Sequence, residues 1–189
     1  MRVLGISGSL RRDSLNSALL RAAAERLPGG AEMVIYEGLA ELPHYDADLE
    51  DGRAVPAEVE ELRRAIREAD AVLVATPEYN HSIPGQLKNA LDWASRPAGE
   101  SAMNGKPAAA IGASKSMFGG VWAQAELRKV LGAMGGRVIE TELPIARAHD
   151  IHSDGRLELE PEHAERLEEI LDELLALAEE PSLSAPVAA

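Results

Sequence analysis

The run Ala71-Val72-Leu73-Val74-Ala75 is apolar at every position. A strand with one wet face alternates polar and apolar residues, so a strand apolar throughout needs helices over both faces. The stretches on either side of it in sequence read as helices. Pro56 to Glu68 carries Val59, Leu62 and Ile66 on one stripe, and Pro84 to Ala94 again opens with proline, the residue best tolerated in a first turn. The same alternation runs along the chain. Strands are expected at Val3 to Ile6, Met33 to Tyr36, Ala71 to Ala75, Pro107 to Gly112 and Arg137 to Leu143. Further helices are expected at Leu15 to Leu27, at Val121 to Met134 before the stop signal Gly135-Gly136, and at Pro161 to Ala178. The last turns Leu167, Ile170, Leu171, Leu174 and Leu177 inward, so the acidic stretch Glu158 to Glu180 reads as its solvated face.

Five strands alternating with five helices predict an α/β fold, a three-layer sandwich around a five-stranded parallel sheet. Right-handed crossovers leave few topologies, and the order 2-1-3-4-5, with a switch point between strands 1 and 3, fits best. One domain is expected over residues 1–180, with a loose tail over 181–189 that lacks periodicity.

A net charge of −13 offers no basic stripe for phosphate backbones or anionic lipid, so neither nucleic acid nor membrane is an expected partner. The absence of cysteine removes disulfides, thiolate catalysis and Cys-ligated metals, and suits a cytoplasmic protein. The first strand starts so early that no signal peptide is expected.

In this topology the loops after strands 1, 3 and 4 meet at one crevice. The first, Ser7 to Ser17, enters a helix whose free N–H groups and positive dipole end favour a phosphate. Ser9, Ser14, Asn16 and Ser17 add neutral donors and Arg11 a charged one. The loop is neither a P-loop nor a dinucleotide fingerprint, because the glycine spacing is wrong; a plain N-cap at Asp13 or Ser14 beside an exposed arginine pair is the simpler alternative. The second loop, Thr76 to Gly85, is stiffened by Pro77 and Pro84 and can present backbone groups to the edge of a planar heterocycle. Asn80 offers a donor and an acceptor there, and Tyr79 could cover a ring face. The third, Gly112 to Gly120, is built from small residues that allow close backbone approach. His149 and His152 have metal-like spacing but no third ligand nearby, so they read as surface loop residues and no metal is expected. His44 and His163 fit no pattern.

Two of these loops carry a resemblance. Gly8-Ser9-Leu10-Arg11-Arg12-Asp13-Ser14-Leu15-Asn16 is similar to the phosphate loop of the NADPH-dependent FMN reductases, which include bacterial quinone, chromate and azo-dye reductases. The stretch Pro77 to Trp93, reading PEYNHSIPGQLKNALDW, resembles that family's longest signature almost throughout. The resemblance implies a flavodoxin-like fold, FMN as cofactor and NADPH (or NADH) as co-substrate. It implies that Ser9, Arg11, Ser14, Asn16 and Ser17 hold the phosphate and ribityl end. Pro77, Glu78, Tyr79 and Asn80 would line the isoalloxazine, largely through backbone groups, with Ser114 closing the far side. It assigns Lys88, Asn89, Asp92 and Trp93 to the helix and to a subunit interface of a homodimer or homotetramer. Ser114-Lys115-Ser116 departs from the Ser-Pro-Gly of many relatives.

The activity so implied passes electrons from NAD(P)H to a small acceptor such as a quinone, azo compound, metal oxyanion or free flavin, in a ping-pong hydride mechanism. The flavin N5 would carry the chemistry, so no catalytic side chain is assigned, with His81 the candidate proton donor against its plainer reading as an exposed loop histidine. Two alternatives stay open: a non-catalytic flavodoxin-type electron carrier, and a reductase that supplies reduced flavin to a monooxygenase.

Overall fold

The computed structural model describes residues 1–50 and 55–181; the tail expected over 181–189 lies, from residue 182 on, outside the described residues. The sheet is built from β1 (Arg2–Ser7), β2 (Glu32–Tyr36), β3 (Ala71–Ala75), β4 (Pro107–Ala113) and β5 (Arg137–Val138), hydrogen-bonded in the order 2-1-3-4-5. All four pairings are parallel. The fold is therefore the flavodoxin-like doubly wound sandwich, with the switch point between β1 and β3.

The strand side chains sort into two cores by alternation. Leu4, Ile6, Val72, Val74, Ala108 and Ala110 face α3 (Ala57–Glu68), α4 (Gly85–Ala94) and α5 (Val121–Ala133). Val3, Ala71, Leu73, Ala75, Ala109 and Ile111 face α1 (Leu15–Ala24) and α6 (Pro161–Glu179). Successive residues of a strand point to opposite faces, so a run apolar at every position feeds both layers. In α6, Leu167, Ile170, Leu171 and Leu174 are buried as expected and Leu177 partly so, and Leu175 is buried beside them.

Two expectations need correction, and two elements were not anticipated. The helix expected to reach Leu27 ends at Ala24, with Glu25 as its C-cap, and Arg26 N–H already turns back to the Ala23 carbonyl ahead of Pro28. The fifth strand is not continuous over 137–143. It pairs as β5 beside Pro107–Ala108 and again as β6 (Pro144–Ile145) beside Gly112–Ala113. Ala108 to Gly112 is four steps along β4, while Val138 to Pro144 is six, so two extra residues bulge out. The bulge holds Glu140, Thr141 and Glu142, which reach Arg128 and Glu173 instead of the sheet; such bulges suit an edge strand. Between β6 and α6 lies an unanticipated hairpin, β7 (His152–Ser153) and β8 (Arg156–Leu157), tied to α1 by Arg21, which donates to the Gly155 carbonyl at 2.8 Å. A short helix α2 (Ala47–Glu50) was also not anticipated.

Candidate functional site

β1 stops at Ser7, and Gly8 N–H donates to the Ala75 carbonyl at 2.8 Å, so the first loop leaves the sheet bound to the end of β3. A Cβ on Gly8 would stand 2.9 Å from Leu87 Cδ2, which explains the glycine. Ser14 is the N-cap of α1, its hydroxyl accepting Ser17 N–H at 3.1 Å. Leu15 and Asn16 then open the helix with N–H groups that have no preceding carbonyl to reach. Arg11 and Arg12 are exposed and enter no ion pair among the described residues.

In the second loop, Tyr79 and Ser82 exchange both backbone hydrogen bonds, at 3.0 and 3.1 Å. The two residues between them, Asn80 (φ 54°) and His81 (φ 60°), are both left-handed, which defines a type I′ turn. Just before it, the Glu78 side chain turns back and accepts the Ala123 N–H at 3.1 Å. The N-cap of α5 is Gly120, with no side chain to offer, and the Glu78 carboxylate fills that place at the positive helix end.

The third loop is pinned at several points. Ser114 N–H donates to the Ile145 carbonyl, its own carbonyl accepts Ala148 N–H, and its hydroxyl accepts Ser116 N–H. Gly119 (φ 61°) packs so closely on the next strand that a Cβ would come within 2.4 Å of the Pro144 carbonyl carbon. Gln124 is fully buried; its amide N–H donates to the Gly119 carbonyl at 3.3 Å and its oxygen accepts Leu143 N–H at 3.3 Å. The first and third loops are joined by Asn16: its Nδ2 donates to the Ala113 carbonyl and its Oδ1 accepts Ala113 N–H, both at 3.0 Å.

Together the three loops enclose an open cavity of about 210 Å³ at the carboxyl end of the sheet. Ser9, Arg11, Ser14, Asn16, Pro77, Glu78, Tyr79 and Ser114 line it, with Leu15, Ala113 and Lys115. A positive helix end, an unpaired guanidinium and serine hydroxyls suit a phosphate. The stiff backbone of 77–79 opposite 113–115 suits a flat ring. A larger hollow of about 550 Å³ lies beside the start of α6, but Glu142, Glu162, Glu165 and Glu169 line it and would repel an anion.

The description "NADPH-dependent FMN reductase" belongs to the family whose sequence model matches residues 1–150. An NAD(P)H-dependent FMN reductase of Pseudomonas aeruginosa is 49% identical over 131 residues, 69% of each chain. The chain belongs to the NADPH-dependent FMN reductase family. An Escherichia coli quinone reductase is 40% identical over 131 residues, again 69% of each chain. Among solved structures, the flavoenzyme NAD(P)H:(acceptor) oxidoreductase of Paracoccus denitrificans superposes with a TM-score of 0.80 at 37% identity, covering 94% of this chain and 97% of the other. Membership makes the protein an oxidoreductase with FMN as cofactor and NAD(P)H as co-substrate.

Within this family member the anticipated residues divide. Those lining the cavity are named above. Ser17 is not among them, because its hydroxyl donates to Ser7 Oγ at 2.9 Å. Asn16 lines the cavity, but its amide is committed to Ala113 on both sides, so its part is to hold two loops together. Asn80 and His81 sit outside the lining, at the tip of the turn. Trp93 and Asn89 do not form an outer face. Trp93 is fully buried and its Nε1–H donates to the Pro43 carbonyl at 2.8 Å, while Asn89 accepts Tyr45 N–H at 2.7 Å. Lys88 and Asp92 of the same helix pair with each other on its exposed side. His149 is half exposed beside Asp150, as a surface residue should be. His152 is not on the surface: its side chain is 10% exposed, with Nε2 3.4 Å from Asp13. Among the described residues no cluster is placed to hold a metal. Gln124 was missed altogether; its one signal is a polar residue on the buried stripe of α5 between Ala123 and Leu127.

Proposed function

We propose that this protein holds FMN in the cavity of the three loops and passes electrons from NAD(P)H to a small acceptor by a ping-pong scheme, donor and acceptor taking turns at one mouth. The observation that carries this is the cavity itself, walled by the two stretches that hold the family's signatures. Bound there, FMN supplies hydride acceptance from the nicotinamide and onward transfer of the electrons. The protein's part is to bind and orient. Ser9, Arg11 and the N–H groups of Leu15 and Asn16 take the phosphate. Pro77, Glu78 and Tyr79 set the plane of the ring with their backbone, and Ser114 bounds it opposite. The mouth is open to water, and His81, 73% exposed at its edge, can hand a proton to an acceptor oxygen.

An electron carrier would clasp the ring between aromatics, whereas Tyr79 is the one aromatic in the cavity lining among the described residues. We read the enzyme as a cytoplasmic homodimer or homotetramer; support for the location is the acidic surface and the fact that, among the described residues, no helix is long and apolar enough to cross a membrane. Mixing the FMN-loaded protein with NADPH without oxygen should bleach the flavin in a single turnover, and adding a quinone should restore the colour. Double-reciprocal plots should run parallel. Converging lines would replace ping-pong with a ternary complex, and an unbleached flavin would sink the reductase.

A further inference from the structure

His152, on β7, takes no part in the proposed electron path. Its side chain is 10% exposed, and its Nε2 is shut off from water with no hydrogen-bond partner among the described residues. A buried polar atom left unpaired costs stability, so its surroundings call for a reason. Among the described residues, one carboxylate stands within ion-pairing distance of it, Asp13 Oδ1 at 3.4 Å. Asp13 belongs to the first loop of the cavity, between Arg11 and the N-cap Ser14.

That place in the chain is a poor one for a free carboxylate beside an anion site. A loop aspartate commonly folds back to accept the backbone N–H two residues on. For Asp13 that N–H is the one of Leu15, a free group at the start of α1. A carboxylate there would occupy a donor meant for the phosphate and repel its charge. In the structure Ser14 caps the helix, by accepting Ser17 N–H, and Arg11, Ser14, Leu15 and Asn16 line the cavity while Asp13 does not. The Asp13 carboxylate stands beside His152 instead. The hairpin that carries His152 is firmly seated. Its turn residues Asp154 (φ 48°) and Gly155 (φ 75°) are both left-handed, Leu157 across from His152 is buried, and Arg21 of α1 donates to the Gly155 carbonyl at 2.8 Å. The holder of the carboxylate is thus fixed to the same helix whose N-terminus it keeps clear.

We propose that His152 is a positioning residue for the flavin phosphate: it holds the Asp13 carboxylate away from the first turn of α1 and so keeps that helix end open to an anion. The inference rests on the assignment of the FMN phosphate to the first loop, and it concerns the phosphate alone. Riboflavin, the same ring and ribityl chain without the phosphate, does not sense it.

The test titrates FMN and riboflavin into the flavin-free full chain, as wild type, His152→Leu, Asp13→Ala and the double variant. His152→Leu keeps much of the buried volume but cannot hold a carboxylate. It should bind FMN about tenfold more weakly than wild type, the scale of one charge-assisted hydrogen bond, with riboflavin unchanged. Asp13→Ala has no carboxylate to restrain, so it should bind FMN at least as tightly as wild type, and the double variant should match it. His152→Gln, which keeps an N–H donor, should recover most of the loss. His152→Asn, too short to reach Asp13, replaces His152→Leu if that variant does not fold. Equal loss of FMN and riboflavin in His152→Leu would overturn the proposal, because His152 would then be a packing residue. So would failure of Asp13→Ala to restore FMN binding in the double variant. Wild type binding FMN no tighter than riboflavin would bring down the phosphate assignment and this inference together; a wild-type preference for FMN that His152→Leu leaves intact would sink this inference alone.

Discussion

The Glu78 carboxylate and the Ala123 N–H, 3.1 Å apart, join the second loop to the first turn of α5. Side-chain caps of this kind stabilise by about 1 kcal/mol, and the charge adds to it at the positive end of the helix dipole. Glu78→Ala should therefore lower the melting temperature of the apoprotein by roughly 2–4 °C, and FMN affinity should fall with it, because two walls of the cavity are uncoupled. Glu78→Gln keeps an acceptor oxygen and should lose less. Unchanged melting in Glu78→Ala would remove the cap from the account.

Arg11 also lines the cavity, exposed and without an ion-pair partner among the described residues. Nothing in the folded apoprotein depends on it. Arg11→Ala should leave apoprotein melting within error, since exposed substitutions cost under about 0.5 kcal/mol. The FMN dissociation constant should rise about tenfold to a hundredfold, the loss of one charge-assisted hydrogen bond worth about 1.5–3 kcal/mol. Fluorescence titration of FMN gives the dissociation constant, and scanning calorimetry of the apoprotein gives the melting temperature. Full retention of affinity would take the phosphate away from this loop.

Much of this was legible in the sequence, for identifiable reasons. Ala71 to Ala75 and Leu4-Gly5-Ile6 announce buried parallel strands because every residue is apolar or small, and the topology rules then bring the three loops to one edge. The bulge at Glu140 to Glu142 was not legible, because its cause is the position of Arg128, an ion-pair partner fixed only by packing. The hairpin at 152–157 is too short for periodicity to register. At the site, the loops were found but several side-chain duties were not. Asn16, Ser17 and Glu78 carry the polar atoms a ligand would want, and the fold uses those atoms to bind Ala113, Ser7 and Ala123. A polar side chain in a loop reads the same whether it faces a phosphate or a neighbouring backbone.

Asn16 provides the means to separate these two duties. It is 2% exposed and makes paired bonds to Ala113. Asn16→Ala leaves a buried N–H and C=O without partners and should destabilise the apoprotein by about 2 kcal/mol. Asn16→Asp keeps the acceptor for Ala113 N–H but sets a second oxygen against the Ala113 carbonyl, so it should fail as well. A ligand-only residue would instead weaken FMN binding in a normally stable protein, and denaturant titration without flavin distinguishes the two.

Asn80 holds φ 54° at the tip of the type I′ turn, a conformation that asparagine and glycine accept and branched or bulky residues resist. Asn80→Gly should therefore keep apoprotein stability, and Asn80→Leu should lower it by about 1 kcal/mol. The glycine variant is the informative one, because it deletes the amide without straining the turn. A drop in FMN affinity or a shift in flavin potential in Asn80→Gly assigns the amide to the ring edge; an unchanged flavin leaves Asn80 with the turn alone.

Glu50 carries a pH dependence that belongs to stability. Its Oε2 accepts the Arg96 Nε–H at 2.9 Å and the Tyr45 hydroxyl at 2.8 Å. The hydrogen bond from Arg96, followed by that from Tyr45, holds the Glu50 carboxyl below its usual range. The Tyr45 phenol, bonded to Glu50, is held above its own. A carboxyl whose pKa is lowered by folding stabilises fully above its unfolded value, about 4.3 for glutamate, and loses that contribution as pH falls through the folded value. A phenol raised by folding does the reverse: its contribution is intact below about pH 10 and fades as pH climbs through the folded value. The melting temperature of wild type relative to Glu50→Gln should be constant around neutral pH and should shrink in acid below about pH 4. Relative to Tyr45→Phe, wild type should lose its advantage only above about pH 10. Tyr45 also stacks edgewise on Trp93 at 4.9 Å, which the phenylalanine preserves, so that comparison isolates the hydroxyl. Wild-type and Glu50→Gln curves that stay parallel down to about pH 3 would mean the carboxyl titrates like a free one, and the pair with Arg96 would then contribute nothing to folding.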